Sequence, residues 1–492
     1  MLSIPDVLII GLYLAGVLWV GLRQPADKDD TEGYLTGRRR VPWLAVLISL
    51  VATEVSAFTF LNVPGAAYAG DMGYLQTTMG SWVARFFVAG VFIGAFYAAN
   101  CLTIYSYLSQ RFGQRSCYTA SVFFVVSRLL GSGMRLLAAV TALAVILQIP
   151  FGLTLFGFAA FAFLYAGKGG IRAVIYTDCV QAAVFLIGGI AAFTYLGYTL
   201  GWETYWQVAQ DSGKLQIFHL TPGADDTNWW NDSEWLFVAM LFGFIMTSAA
   251  MGTDHDLTQR LLTCSKANEA KKSLILSGLV ALGIAALFLL LGSGLYVYYE
   301  TFPDPNLPLT DDGTPNPNQV FPHFIKSALP SGLRGLLLAG VLAATMSSLD
   351  SAMAALSSSA TVDLIRPLSR NALSQTRIVM LSRVLMGVFA LILAGIAWGF
   401  KEVEQSYLWL TFKLAGIPYS PLLGIFLAGL LTSRGDDRWN LLAMISGAVT
   451  SGLLLWLIET SRLNLAWPWA LFIGTLATFV SAIMKHQNES KT

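Results

Sequence analysis

About thirteen apolar stretches follow one another along this 492-residue chain, most of them long enough to cross a bilayer as a helix. A helical crossing needs about 20 mainly apolar residues. The approximate limits are 5–23, 43–68, 74–100, 118–148, 151–166, 174–200, 235–255, 273–299, 333–360, 379–399, 406–432, 439–460 and 466–484. Charged residues make up only 12% of the chain, and mean hydropathy is +0.62. A soluble domain carries about 25% charged residues. The pattern predicts an all-α polytopic membrane protein, a single transmembrane domain over 1–492.

The run from Val7 to Leu22 lacks a basic leading segment and a small-residue cleavage site, so it reads as a retained first span. A net charge of +1 and the absence of a basic tail give no sign of a nucleic-acid partner. Cys101, Cys117, Cys179 and Cys264 lie in or beside predicted spans with no metal spacing and no disulfide signature. The four histidines form no metal pattern, and no nucleophile–base arrangement points to an enzyme.

Orientation follows from Lys and Arg in the connections. One side holds Arg23, Lys28, Arg38, Arg39, Arg40, Arg111, Arg115, Lys168 and Arg172. It continues with Arg260, Lys266, Lys271, Lys272, Arg366, Arg370, Arg377, Arg434, Arg438 and Lys485. The other side holds only Lys214, Lys326, Arg334, Lys401 and Arg462. The bias predicts an outside N-terminus, a cytoplasmic C-terminus, and two long outside connections at 201–234 and 301–332.

Two spans carry polar, small residues at bilayer depth. The second reads Ala52-Thr53-Glu54-Val55-Ser56-Ala57-Phe58-Thr59 and then Pro64-Gly65; the seventh reads Thr247-Ser248-Ala249-Ala250-Met251-Gly252-Thr253-Asp254. Unwound backbone at that depth is tolerated only where it lines a cavity. Interrupted helices at matching places in two halves point to an inverted-repeat transporter with its site near the midplane.

The ninth span is unusual in another way. Leu342-Ala343-Ala344-Thr345-Met346-Ser347-Ser348-Leu349-Asp350-Ser351 places three serines and an aspartate inside the membrane. An ionisable group there costs at least about 2.5–3.5 kcal/mol on insertion scales. Packing of small residues accounts for the serines and alanines but not for Asp350. Hydroxyls beside a carboxylate are the hard oxygen ligands that a small cation needs. Ser347, Asp350 and Ser351 stand at i, i+3 and i+4, one helical face. Asp178, near the start of the sixth span, is expected at a similar depth. Glu54, Arg135 and Lys413 are expected nearer the midplane, where they either pair with one another or meet a polar solute. Arg85 reads as structural.

On Gly169-Gly170-Ile171, Tyr176-Thr177-Asp178-Cys179-Val180-Gln181, Gln259-Arg260 and Ala344-Thr345-Met346-Ser347-Ser348, the chain resembles the sodium/solute symporter family over roughly residues 5–430. That family includes bacterial sodium/proline, sodium/galactose and sodium/sialic acid carriers. The resemblance implies a LeuT-type core: a leading helix at 5–23, inverted five-helix repeats at 43–200 and 235–432, and two trailing helices at 439–484. It implies a sodium site from the carbonyls of Ala52, Val55 and Ala344 and the hydroxyls of Ser347 and Ser348. A second cation site, as some members have, would use Asp178, Ser347, Asp350 and Ser351. Asp350 departs from the serine of the sialic acid carriers, and a shared proton there would instead couple protons.

For the solute, Arg135 matches an arginine that binds the carboxylate in the sialic acid carriers. Ser56, Thr59, Tyr74 and Thr78 match site-lining positions. Glu54 and Lys413 depart from the family pattern, and Ala250 and Met251 stand where sugar carriers have a gating aromatic pair. The implied activity is sodium-coupled import of a small polar solute, a sugar, sugar acid or other carboxylate, across a bacterial inner membrane by a monomer. Sodium is the coupling ion and no other cofactor is expected. A proton-coupled carrier and a neutral sugar or amino-acid carrier are the alternatives.

Overall fold

A computed structural model describes residues 2–23, 31–221, 228–369, 374–402 and 407–484, without the side chains at 31, 57, 58, 161, 162 and 164–169. Lys28, Arg370, Lys485 and the Lys168 side chain lie outside the described residues. Nearly everything else is helix. The first half of the chain comprises α1 (Ile4–Arg23), α2 (Thr31–Thr36), α3 (Trp43–Glu54), α4 (Ala57–Ala69), α5 (Tyr74–Ala98), α6 (Ile104–Arg111), α7 (Gln114–Leu147), α8 (Phe151–Leu200) and α9 (Trp202–Asp211). The second half comprises α10 (Leu236–Thr253), α11 (His255–Leu261), α12 (Ala267–Thr301), α13 (Val320–Ser327), α14 (Leu333–Ser359), α15 (Arg366–Leu368), α16 (Gln375–Gly399), α17 (Tyr407–Leu431), α18 (Trp439–Glu459) and α19 (Pro468–Ile483). Among the described residues the only β pairing is one isolated bridge, Leu309 to Pro315. Among the described residues, ten helices are long and apolar enough to cross a membrane, or eleven if the bent α3–α4 pair counts as one; Phe151–Ala160 and Pro468–Ile483 are shorter apolar helices.

The fifth and sixth predicted spans meet without a loop. Gly170 turns the chain inside α8 at φ 62°, ψ −170°. A side chain at this backbone angle is strained, and a Cβ would stand 2.9 Å from the Tyr34 carbonyl oxygen, so the position requires glycine.

The second span is broken, but not at its proline. α3 ends at Glu54, Val55 leaves the helix at φ −80°, ψ 72°, and Ser56 is extended. α4 then departs at 53°. Pro64 and Gly65 sit inside α4, eight and more residues past the break. In the seventh span the expected soft centre is continuous helix. The chain breaks at its end, on Asp254, whose carboxylate caps α11 by accepting the Asp256 N–H at 2.9 Å.

α14 is the central column. It packs against α1, α3, α4, α7, α8 and α16, and 89% of its apolar window is buried. α1 and α18 instead leave most of their apolar surface outward, as lipid-facing helices do. At the end capped by the 201–234 and 301–332 connections, fully buried Asp6 accepts the Gly332 and Gly335 N–H groups at 2.8 and 2.9 Å and pairs with Arg334. A carboxylate on the first turn of α14 satisfies orphan amides and the helix dipole together. The opposite end carries the basic connections.

Candidate functional site

The break between α3 and α4 opens onto a cavity of about 140 Å³. Six other helices complete it, among them α11 through Leu257 and α12 through Ala281 and Ala285. α5 contributes Tyr74, Thr77, Thr78 and Ser81, a continuous face at helical spacing. α7 contributes Ser127, Arg128, Gly131 and Arg135; α10 contributes Phe242, Met246, Thr247, Ala250 and Met251; α17 contributes Thr411, Phe412, Ala415 and Tyr419. Of the expected solute residues, Glu54, Ser56, Thr59, Tyr74, Thr78 and Arg135 all line this space.

Lys413 does not. On α17 the cavity face is Thr411, Ala415 and Tyr419, four residues apart, so Lys413 is turned roughly 200° away from Thr411. Its Nζ lies 2.7 Å from Glu459 on α18. The expected Lys413 contribution to the solute site is therefore corrected to an ion pair with a trailing helix.

Tyr74 roofs the cavity and meets Trp409 edge to face at 6.0 Å between ring centroids. Above them, toward the capped end, a second space of about 210 Å³ shares Tyr74 and Thr77 and is rimmed by Asp71 and Glu234. Below, the floor is charged. Arg128 pairs with Asp254 at 3.3 Å and with Asp256, and the Tyr419 hydroxyl donates to Asp254 at 2.6 Å. α7, the α10–α11 break and α17 are thereby tied across the cavity floor.

Besides Arg128 in the floor, two charged groups line the cavity. Glu54 is held by the Arg85 guanidinium, which also donates to Ser277 Oγ at 2.6 Å. Glu54 and Lys413, which the sequence left as possible partners, thus each have another. Arg135 has no ion pair or hydrogen bond with any described residue. It also lines a small crevice against α14 with Ser132, Leu136, Thr345, Ser348 and Leu349.

The expected cation ligands come from α3 and α14, which are in contact. The last intrahelical bond of α3 runs from Val55 N–H to the Val51 carbonyl at 2.8 Å, so the carbonyls from Ala52 onward lie beyond the helical ladder. On α14, the Ser348 hydroxyl rests on its own helix, donating to the Ala344 carbonyl at 3.1 Å. Ser347 donates to Asp178 Oδ1 at 2.6 Å. These are the oxygen types a weakly held monovalent ion takes: carbonyls and hydroxyls, without full charge.

The residues named for a second cation position are also together, but with a guanidinium among them. Fully buried Asp178 accepts from Ser347, from Ser49 at 2.5 Å and from Arg260 at 3.2 Å. Arg260 also donates to Ser351 Oγ, to Ser49 at 2.9 Å and to Asp256 at 2.5 Å. Asp350 accepts the Ser351 N–H at 2.6 Å. Asp178, expected near Asp350, thus has an internal cation on it.

Arg128, Asp254, Asp256 and Tyr419 were not among the residues expected from sequence. A signal existed for one of them: Arg128 and Arg135 lie seven apart within a predicted span, on one helical face.

A family model described as the sodium:solute symporter family matches residues 34–447. The sodium/sialic acid symporter NanT of Aliivibrio fischeri is 26% identical over 486 residues, covering 96% of this chain and 90% of that one. The sodium/glucose cotransporter of Vibrio parahaemolyticus is 24% identical over 475 residues, covering 90% and 84%. A solved structure of a Na⁺-coupled sialic acid symporter, in a substrate-bound outward-open state, superposes with a TM-score of 0.86 at 23% identity, covering 98% of this chain and 97% of that one. This last likeness shows a common fold.

Proposed function

The chain belongs to the sodium:solute symporter family, and from that premise we propose that it imports a small carboxylate-bearing solute together with sodium by alternating access. The observation that carries the solute class is Arg135, a guanidinium facing an enclosed cavity with no ion pair or hydrogen bond among the described residues. A desolvated cation without a partner is costly, and a solute carboxylate supplies the missing bidentate acceptor.

Sodium binds at Ala52, Val55, Ala344, Ser347 and Ser348. By fixing the broken end of α3 against α14 it sets the position of Glu54, Ser56 and Thr59, the residues of the break that line the cavity. Each ligand therefore raises the affinity of the other by the same factor. The basic end is cytoplasmic, the N-terminus lies outside, and the two inverted repeats at 43–200 and 235–432 rock about the site. With the Arg128–Asp254–Tyr419 floor joined and the 210 Å³ space lying above the roof, solute enters from the capped end. Inward opening requires that floor to part.

Ser348→Ala tests the coupling. An interaction of one oxygen with a charge is worth about 1.5–3 kcal/mol. The half-saturating sodium concentration for uptake is expected to rise at least about tenfold, with the amount of folded protein unchanged. Equal uptake at limiting sodium would remove Ser348 from the ion site.

A further inference from the structure

The proposal that Arg135 anchors a carboxylate leaves open what the rest of the solute must be, and Glu54 speaks to that. Glu54 is the last residue of α3, at the mouth of the break, and its side chain is 28% exposed, into the cavity. Both of its oxygens accept from Nη2 of Arg85. Arg85 itself is fully buried and is held from a third helix by Ser277 of α12. The next residue of α12, Gly278, makes room for it: a Cβ there would stand 2.4 Å from Arg85 Cδ. Two helices are shaped around an arginine whose one carboxylate partner stands at the cavity wall.

Stability does not explain such a pair. Replacing a buried ion pair with apolar residues of similar size is often neutral or stabilising. What the pair provides is a carboxylate fixed in place at the wall of an enclosed site. An ionised carboxylate only accepts hydrogen bonds and has about four lone-pair positions. Arg85 occupies part of them from behind, and the others face the cavity.

We propose that Glu54, positioned by Arg85, is the specificity-determining acceptor of the site, and that the solute is a small monocarboxylate carrying a hydroxyl or ammonium donor away from its carboxylate. This rests on the Arg135 reading and narrows it. A second carboxylate or a phosphate on the solute would face Glu54 and be repelled. An unsubstituted carbon chain would leave Glu54 desolvated without a donor, which a polar site penalises strongly. Size points the same way. A cavity of about 150 Å³ holds a benzene molecule, so about 140 Å³ admits a solute of roughly six to ten non-hydrogen atoms.

The test is thermal stabilisation of the purified full-length protein in sodium, against choline as control. The panel consists of hydroxy and amino acids of two to six carbons, including glycerate and alanine, each beside its unsubstituted counterpart, such as propionate for these two, and a dicarboxylate, such as succinate. The wild type is expected to show a sodium-dependent shift with at least one donor-bearing monocarboxylate. Its unsubstituted counterpart is expected to bind at least tenfold more weakly, and succinate not at all. In the double variant Glu54→Gln/Arg85→Met, which leaves no charge unpaired, that discrimination is expected to collapse to within about threefold. The stabilisation by sodium alone, retained in the variant, reports that it is folded. Donor-bearing and unsubstituted acids binding alike in the wild type, or discrimination surviving in the double variant, would overturn the proposal while leaving the carboxylate reading intact. No shift with any monocarboxylate would instead overturn the carboxylate reading on which it rests.

Discussion

Arg135→Gln is expected to abolish measurable uptake of a carboxylate solute while leaving stabilisation by sodium in place. Losing one member of a desolvated charge pair costs about 2–5 kcal/mol, which raises the half-saturating solute concentration by about 30-fold to several thousandfold. The glutamine keeps the stem and a donor, so packing against the crevice of Ser132, Thr345 and Ser348 is largely preserved. Solute titration of the variant at saturating sodium distinguishes the roles. An unchanged half-saturating concentration would show that Arg135 touches no solute carboxylate. A lost sodium response would make it part of the architecture.

Arg260→Met is expected to be among the most destabilising single substitutions in the chain. The guanidinium serves Asp178, Asp256, Ser49 and Ser351 at once, on four different helices, and its side chain is fully buried. Removing it leaves buried Asp178 without a cation, while Asp256 keeps Arg128, and breaking a buried pair costs about 3–5 kcal/mol. The thermal midpoint in detergent is expected to fall well below that of wild type and to recover in part in the double variant Arg260→Met/Asp178→Asn, which removes the stranded charge. Full stability in the single variant would contradict the network. Recovery of the midpoint by raised sodium would show that a cation can take the place of the guanidinium beside Asp178.

The span pattern was legible because each crossing is a local run of apolar residues. What a span does within the bundle was legible only in part. The grouping of Asp178 with Ser347, Asp350 and Ser351 followed from depth and from one-face spacing on α14. The pairing of charges did not, because it depends on how helices turn toward one another. Glu54 finds Arg85 at a separation of 31 residues, Asp178 finds Arg260 at 82, and Arg128 finds Asp254 at 126. Hydropathy assigns a residue to a span but not to a face. Lys413 illustrates the limit: two positions along α17 from Thr411, it belongs to the opposite side and to Glu459.

Breaks were partly readable for a similar reason. The polar, small run of the second span was read as a break, and the chain does leave the helix there, at Val55 and Ser56. Pro64-Gly65 seemed to mark it but lies inside α4, where the proline costs one backbone bond and the helix continues. In the seventh span the hydroxyls of Thr247 and Thr253 are absorbed within the bundle, by Ser81 and by the Ala249 carbonyl, so polarity there did not require unwinding. Asp254 breaks the chain instead, because its carboxylate is needed as the cap of α11 and as the partner of Arg128 and Tyr419.

The most direct test of sodium coupling is uptake into proteoliposomes of a carboxylate that stabilises the purified protein, with an inward sodium gradient, compared with a potassium gradient and with an inward proton gradient in sodium-free buffer. The account predicts accumulation above equilibrium with sodium alone, and its loss when the gradient is collapsed. Accumulation that follows the proton gradient without sodium would contradict it, and would assign the coupling to the carboxylates around Asp178 and Asp350.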